Sequence, residues 1–225
     1  MTTDAFDHFD HEAARIDAFY TALEPGGWNA PTRCAGWDRK DLLAHLCGIE
    51  DYAEAGLDGT VAEHARHDGQ ELGYEDLNEA RVTALRPLST GELLAKWRAQ
   101  VARIHPELRA RGGDATIDTH AGPYPLGRQV FYFASELAVH ADDAGVPVTE
   151  DERSDRDAWR VWFALDALQE VSPDVEANGA DGVFTVRLGE ESAELTAADL
   201  VEAAARRLPE GRLPEALGRA LVVLA

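Results

Sequence analysis

Residues 126–145 read LGRQVFYFASELAVHADDAG, and this stretch decides the fold. Leu126, Val130, Phe133 and Leu137, followed by Val139 to Ala144, keep the spacing of one helical face. Gly145, with Pro147 beyond it, supplies the stop such a helix needs. Glu136 and His140 stand four residues apart within it, so a carboxylate and an imidazole project from neighbouring positions of one face, beside the apolar stripe. A pair aimed into a bundle needs a partner, and a divalent metal is one solution; a surface ion pair is the other reading of the same spacing.

A second polar intruder lies upstream. Asp38 is a plausible helix cap with Asp41 three residues on, and Leu42, Leu43, Leu46 and Ile49 continue on one face, with His45 set among them. A lone histidine in such company is a satisfied core residue or a ligand. Together with Glu136 and His140 it completes two histidines and one carboxylate, a common catalytic zinc set that leaves a fourth position for water or substrate.

The rest of the chain is also mainly helical. Phe6, Phe9, Ala13, Ile16, Phe19, Tyr20 and Leu23 predict a first helix that stops at Pro25-Gly26-Gly27. Residues 56–73 read as a loop or short helix, with His64 and His67 in a polar, solvated setting, and residues 74–85 and 90–108 as helices. Residues 111–125, RGGDATIDTHAGPYP, read as a long crossover loop with at most a short extended piece, and residues 155–171 as a further helix before Ser172-Pro173. Beyond lie a small hairpin around GVFTVRLG and two helices, near 197–208 and after Pro214. The expected architecture is a helical bundle over residues 1–172 and a small α+β domain over residues 173–225.

Charge narrows the function. The 225 residues hold 42 Asp and Glu against 21 Lys and Arg, a formal net charge of -21. Such a chain repels phosphate backbones and anionic membrane surfaces, so neither nucleic acid nor membrane is an expected partner. Two cysteines, Cys34 and Cys47, are too few for a disulfide framework, and the acidic N-terminus MTTDAFDHFDHEAARID lacks the layout of a signal peptide. The expectation is a cytoplasmic protein without a membrane-spanning stretch. Cys47 reads as a core filler, and Cys34 as packing its loop against Trp28 or Trp37.

The segment from Trp28 to Ala55, WNAPTRCAGWDRKDLLAHLCGIEDYAEA, resembles the signature loop and second helix of the mycothiol-dependent maleylpyruvate isomerase family, a branch of the DinB/YfiT-like metal-binding four-helix bundles. Thr32, Cys34, Trp37 and His45 match its Thr-x-Cys-x-x-Trp loop and metal-binding histidine, and Glu136, His140 and Asp143 match its later helix. The resemblance implies a zinc held by His45, Glu136 and His140, with Asp143 bracing a ligand, and mycothiol as thiol cosubstrate for a small electrophile. His120 is then a candidate to line the pocket and take the thiol proton, or a solvated loop histidine. Arg128 is a candidate to hold an anionic substrate or thiol, or a surface ion pair. No arginine of the tail, among them Arg206, Arg207 and Arg212, matches the family's substrate-binding pattern, so S-transfer is favoured over isomerisation. The alternative is a non-catalytic metal-binding or stress-response module of the same fold; oligomeric state is left open.

Overall fold

The computed structural model describes residues 4–67, 69–180 and 182–224, the side chains at 67, 71 and 180 excepted. The chain divides into two compact units, one ending at Pro147 and the other beginning at Val148.

Four long helices build the first unit: α1 (Ala5–Ala22), α2 (Arg39–Asp58), α5 (Thr90–Arg111) and α6 (Leu126–Ala144), with the short α3 (Val61–His64) and α4 (Tyr74–Leu85) between α2 and α5. Each long helix starts or stops where its ends are chemically satisfied. The Asp38 carboxylate accepts from Asp41 N at 2.9 Å, Ser89 and Glu92 cap each other reciprocally at the start of α5, and α6 ends on Gly145 at φ +79. Helix α1 packs on α6 and α5, and α2 on α5 and α6. The enclosed core includes Phe9, Ile16, Tyr20, Leu42, Leu46, Leu93, Trp97, Ile104 and Leu126. Among the described residues no helix is long and apolar enough to cross a membrane.

Two segments differ from the sequence reading. Residues 61–71 hold α3 and a two-stranded ribbon, β1 (Arg66–His67) with β2 (Gln70–Glu71). Within 111–125, β3 (Thr116–Thr119) and β4 (Gly122–Pro125) pair antiparallel where a loop is expected. The hairpin exists because Ile117 buries itself against α2 at Gly56, where an added Cβ would stand 2.8 Å from both Asp118 O and Ile117 Cγ1. A four-residue strand so rich in Gly and Pro carries little local signal, and the close approach at Gly56 is a tertiary contact.

The second unit holds α7 (Glu150–Val171), the antiparallel sheet β5 (Glu176–Ala180), β6 (Val183–Leu188) and β7 (Glu191–Thr196), then α8 (Ala197–Ala204) and α9 (Glu215–Ala220). Leu168 of α7 shares a core with Val175, Val186, Leu195, Leu200, Leu217 and Leu221. The division between the units thus falls before α7, whereas the sequence reading places its boundary after that helix, at 172/173. A helix followed by Ser-Pro looks like the end of a domain, and the partner of its last turns is set by packing.

The bundle core also encloses charge. His105 of α5 stacks on Phe9, with ring centroids 3.8 Å apart, while its Nδ1 meets Asp10 Oδ1 at 2.7 Å and its Nε2 meets Glu50 Oε1 at 3.1 Å. Burial opposes the imidazolium, but the two carboxylates outweigh it and hold His105 above the ordinary histidine range. A raised folded-state value contributes stability that is fully present below the unfolded value of about 6.5 and is lost as pH rises through the folded midpoint. NMR titration should therefore find His105 still protonated above about pH 6.5, with Glu50→Gln moving the midpoint down. Urea melts of the wild type should lose stability on the alkaline side of that midpoint, and Glu50→Gln should flatten this loss. A midpoint at or below the free value contradicts the assignment.

Candidate metal centre

Helices α2 and α6 bring three donors together. His45 Nε2 and His140 Nε2 face each other at 3.1 Å, and Glu136 Oε2 lies 3.5 Å from His140 Nε2. All three donor atoms lie within 4.8 Å of one another. Both imidazoles are buried, at 4% and 7% exposure, and Glu136 is half-buried. The i, i+4 spacing on α6 sets Glu136 and His140 on one face, and the position of His45 between Leu43 and Leu46 turns it inward against them.

The loop from Thr32 to Trp37 fixes the far side of His140. Thr32 Oγ1 donates to Trp37 O at 2.9 Å and accepts from Cys34 N at 3.1 Å, closing the loop on itself with Gly36 at φ +85. Arg33 N then donates to Asp143 O at 3.1 Å, and Arg39 Nε to Ala144 O at 2.8 Å, so the loop is tied to the C-terminal turn of α6. Asp143 Oδ2 receives His140 Nδ1 at 3.1 Å and the Cys34 thiol at 3.2 Å. Cys34 therefore braces the carboxylate behind His140. The Trp37 ring lies 5.0 Å from that of His45, and its Nε1 donates to Glu79 Oε2 at 2.8 Å.

Charge in this group is arranged for a cation. Burial opposes protonation of His140, yet Asp143, Cys34 and Glu136 raise its proton affinity well above the ordinary value. The donor chemistry fits a divalent metal. Donors around a tetrahedral zinc with bonds of about 2.0–2.1 Å stand about 3.3–3.4 Å apart. The 3.1 and 3.5 Å separations from His140 Nε2 bracket that spacing. Cys34, His140 and Asp143 form a second possible donor group. Its members share hydrogen bonds through Asp143 and use the opposite nitrogen of His140, the arrangement that orients a ligand from behind.

The other sequence candidates make contacts of their own. His120 occupies the exposed tip between β3 and β4, stacked on Tyr52 with centroids 4.9 Å apart and planes 6° apart. Arg128 opens α6 and donates from Nε to Tyr124 Oη at 3.0 Å. Cys47 is fully buried, and burial pushes its thiol up to about 12, which suits a core filler. His64 departs from the solvated reading: both of its ring nitrogens are buried. The side chain of His67 lies outside the described residues.

Residues 9–145, more than half of the chain, match the family described as the mycothiol maleylpyruvate isomerase N-terminal domain. Among solved structures the chain is similar to a crystal structure of the mycothiol-dependent maleylpyruvate isomerase, with a TM-score of 0.60 and 16% identity over 92% of this chain and 90% of that one. It is similar also to a histidine-to-alanine variant of that isomerase, with a TM-score of 0.59 and 15% identity over 91% and 88%. At these identities the likeness shows the fold. No curated protein sequence matches the chain.

The brace behind His140 should be separable from the packing around it. Asp143→Ala is expected to weaken zinc binding by about 10–100-fold in a chelator competition while circular dichroism stays unchanged. Leu137→Ala, at a fully buried position, should do the reverse and cost about 2–5 kcal/mol of stability with zinc affinity retained. Equal zinc affinity in Asp143→Ala and the wild type would remove the bracing role.

Proposed function

Because the chain belongs to the mycothiol maleylpyruvate isomerase N-terminal domain family, we propose that it is a metal-dependent enzyme that adds a low-molecular-weight thiol, mycothiol, to a small electrophilic substrate. The observation that carries this reading is the convergence of His45 Nε2, His140 Nε2 and Glu136 Oε2 at the junction of α2 and α6. These three side chains would hold the metal, and zinc fits the donor set. Bound there, zinc would lower the proton affinity of a coordinated thiol and so supply thiolate at neutral pH.

The chain's own residues then have defined tasks. Asp143 accepts the Nδ1 proton of His140 and so leaves Nε2 free as a donor atom toward the metal. Trp37 lies beside the His45 ring and limits the approach of water on that side. His120 is the candidate proton acceptor: burial and the charge of Arg81 lower its proton affinity, so its ring is neutral near pH 7 and able to take the thiol proton. A reducing cytoplasm suits a chain whose cysteines, Cys34 and Cys47, are both free.

After thiol addition two fates are open. In isomerisation the thiol leaves again and is recycled; in S-transfer it stays on the product. The family name supports isomerisation, and we adopt it in place of the S-transfer that the tail sequence favours. Zinc-loaded protein with mycothiol and maleylpyruvate is expected to turn over substrate with the thiol pool unchanged, and His45→Ala to abolish turnover. Calorimetry in two buffers of different ionisation enthalpy should show proton release, about one per thiol bound near pH 7. Thiol consumed in proportion to product restores S-transfer, and equal turnover by His45→Ala or without thiol overturns the reading altogether.

A further inference from the structure

Helix α4 is seated on α2 at two places. In the middle of α2, Arg81 lies beside Gly48, where an added Cβ would meet its Cδ at 3.8 Å, and its Nη2 donates to the carbonyl of His64. At the start of α2 the contact carries charge on both sides. Arg86, which follows α4, donates through Nε and Nη2 to the two carboxylate oxygens of Asp41, both at 3.0 Å, and through Nη1 to Glu79 Oε1 at 2.9 Å. Its carbonyl accepts from Lys40 Nζ at 2.7 Å. Asp41 stands four residues before His45, on the neighbouring turn of the same helix.

The other oxygen of Glu79 leads to the donors. Glu79 Oε2 accepts from the indole Nε1 of Trp37 at 2.8 Å, and the Trp37 ring lies 5.0 Å from that of His45, tilted by 38°. The indole bond is the strongest of the contacts that hold Glu79 below the ordinary carboxylate range, so this acceptor is ionised at neutral pH. A continuous series of contacts thus leaves α2 at Asp41, passes through Arg86, Glu79 and Trp37, and returns to α2 at His45. Folding stability does not account for it. The Arg86 and Glu79 side chains are 40% and 50% exposed, and ion pairs so placed contribute little to stability. What a two-pronged guanidinium and a single indole donor fix is direction. Trp37 has one polar side-chain atom, so the position of its acceptor determines which way the ring faces.

We propose that Glu79, itself held by Arg86, is a positioning residue for the metal centre: it fixes the Trp37 indole against His45 and so keeps His45 Nε2 aimed at the point it shares with His140 Nε2 and Glu136. Two of the three donors are set relative to each other by their spacing on α6, and Asp143 braces His140. His45 meets them from a different helix, so the direction of its ring has to be set from the α2 side, and a fixed indole face does this. Glu79 acts through Trp37 and has no part in the chemical step. The inference rests on the metal-binding half of the proposed function, and the identity of thiol and substrate does not enter it.

The test is zinc affinity of the full-length protein, measured by chelator competition without thiol or substrate. Glu79→Ala should weaken zinc binding by about tenfold, and Glu79→Gln, whose amide oxygen still accepts from the indole, should recover most of that loss. Trp37→Phe keeps an aromatic ring but has no N–H to direct it, and should weaken zinc to a similar degree. Adding Glu79→Ala to Trp37→Phe should then weaken it no further. Ser89→Ala, which removes an exposed cap of α5, is the stability control: it should lower the melting temperature and leave zinc affinity unchanged. The proposal is overturned if Glu79→Ala binds zinc as the wild type does, if Glu79→Gln is no better than Glu79→Ala, if the two losses multiply in the double variant, or if Ser89→Ala loses as much affinity as Glu79→Ala. Should Glu79→Ala fail to fold by circular dichroism, Glu79→Gln and Trp37→Phe decide: affinity near wild type in the first with about tenfold loss in the second upholds the proposal, and equal affinities overturn it. A wild type that binds no zinc rejects the proposed function and the positioning role together. The expected pattern of zinc affinities in a protein without thiol-dependent turnover rejects the thiol chemistry and leaves the positioning role standing.

Discussion

Two imidazole nitrogens facing each other at 3.1 Å inside a helical bundle set the terms for everything around them. At most one of them can carry a proton toward the other, and neither can reach enough water to be solvated, so the pair must share a proton or a cation. Glu136 adds a negative charge on the same side, and Asp143 adds another behind His140. The positive charge that satisfies this group is a proton on His140 in the bare chain and a divalent ion in the proposed enzyme. The site is thus a place where the folded polypeptide concentrates negative charge around two bases, at a junction that apolar packing alone would close more cheaply.

The surrounding fold supplies rigidity from two independent sources. Apolar layers of α1, α5 and α6 hold the helices together, while Arg33, Cys34 and Arg39 bind the entry to α2 onto the last turn of α6. The second source explains why a loop bearing Thr, Cys and Trp at fixed spacing sits before the helix of His45. Thr32 closes the loop, Cys34 holds the Asp143 carboxylate, and Trp37 lies beside His45. The β3–β4 hairpin and α4 pack along the same helix, with Ile117 against Gly56 and the Arg81 side chain beside Gly48.

The long helices and the three donors were legible because the signals that specify them are local. Periodicity marks a helical face, and a spacing of four on α6 or an apolar neighbourhood around His45 marks a polar side chain turned inward. The hairpin at Thr116–Pro125, the inward turn of His64 and the place of Arg81 were not legible, since each depends on a contact between segments distant in sequence. The same holds for the buried His105, whose partners come from α1 and α2 and whose own helix reads as an ordinary amphipathic one. The motif marks Cys34, but its bond to Asp143 was not legible, because a thiol carries no sequence signal for the carboxylate it will meet. The fold class and the convergence of His45, Glu136 and His140 lie on the sequence side of that line, and the contacts of His64 and Arg81 lie beyond it.

X-ray absorption at the zinc edge tests the central claim most directly, because the two possible donor groups differ in sulfur. Held by His45, Glu136 and His140, zinc in thiol-free protein should show only nitrogen and oxygen neighbours at about 2.0–2.2 Å. Addition of mycothiol should then introduce one sulfur at about 2.3 Å. A sulfur neighbour already present without thiol would place the ion on Cys34, His140 and Asp143, and a spectrum unchanged by mycothiol would show that the thiol does not reach the metal. Either result contradicts the account.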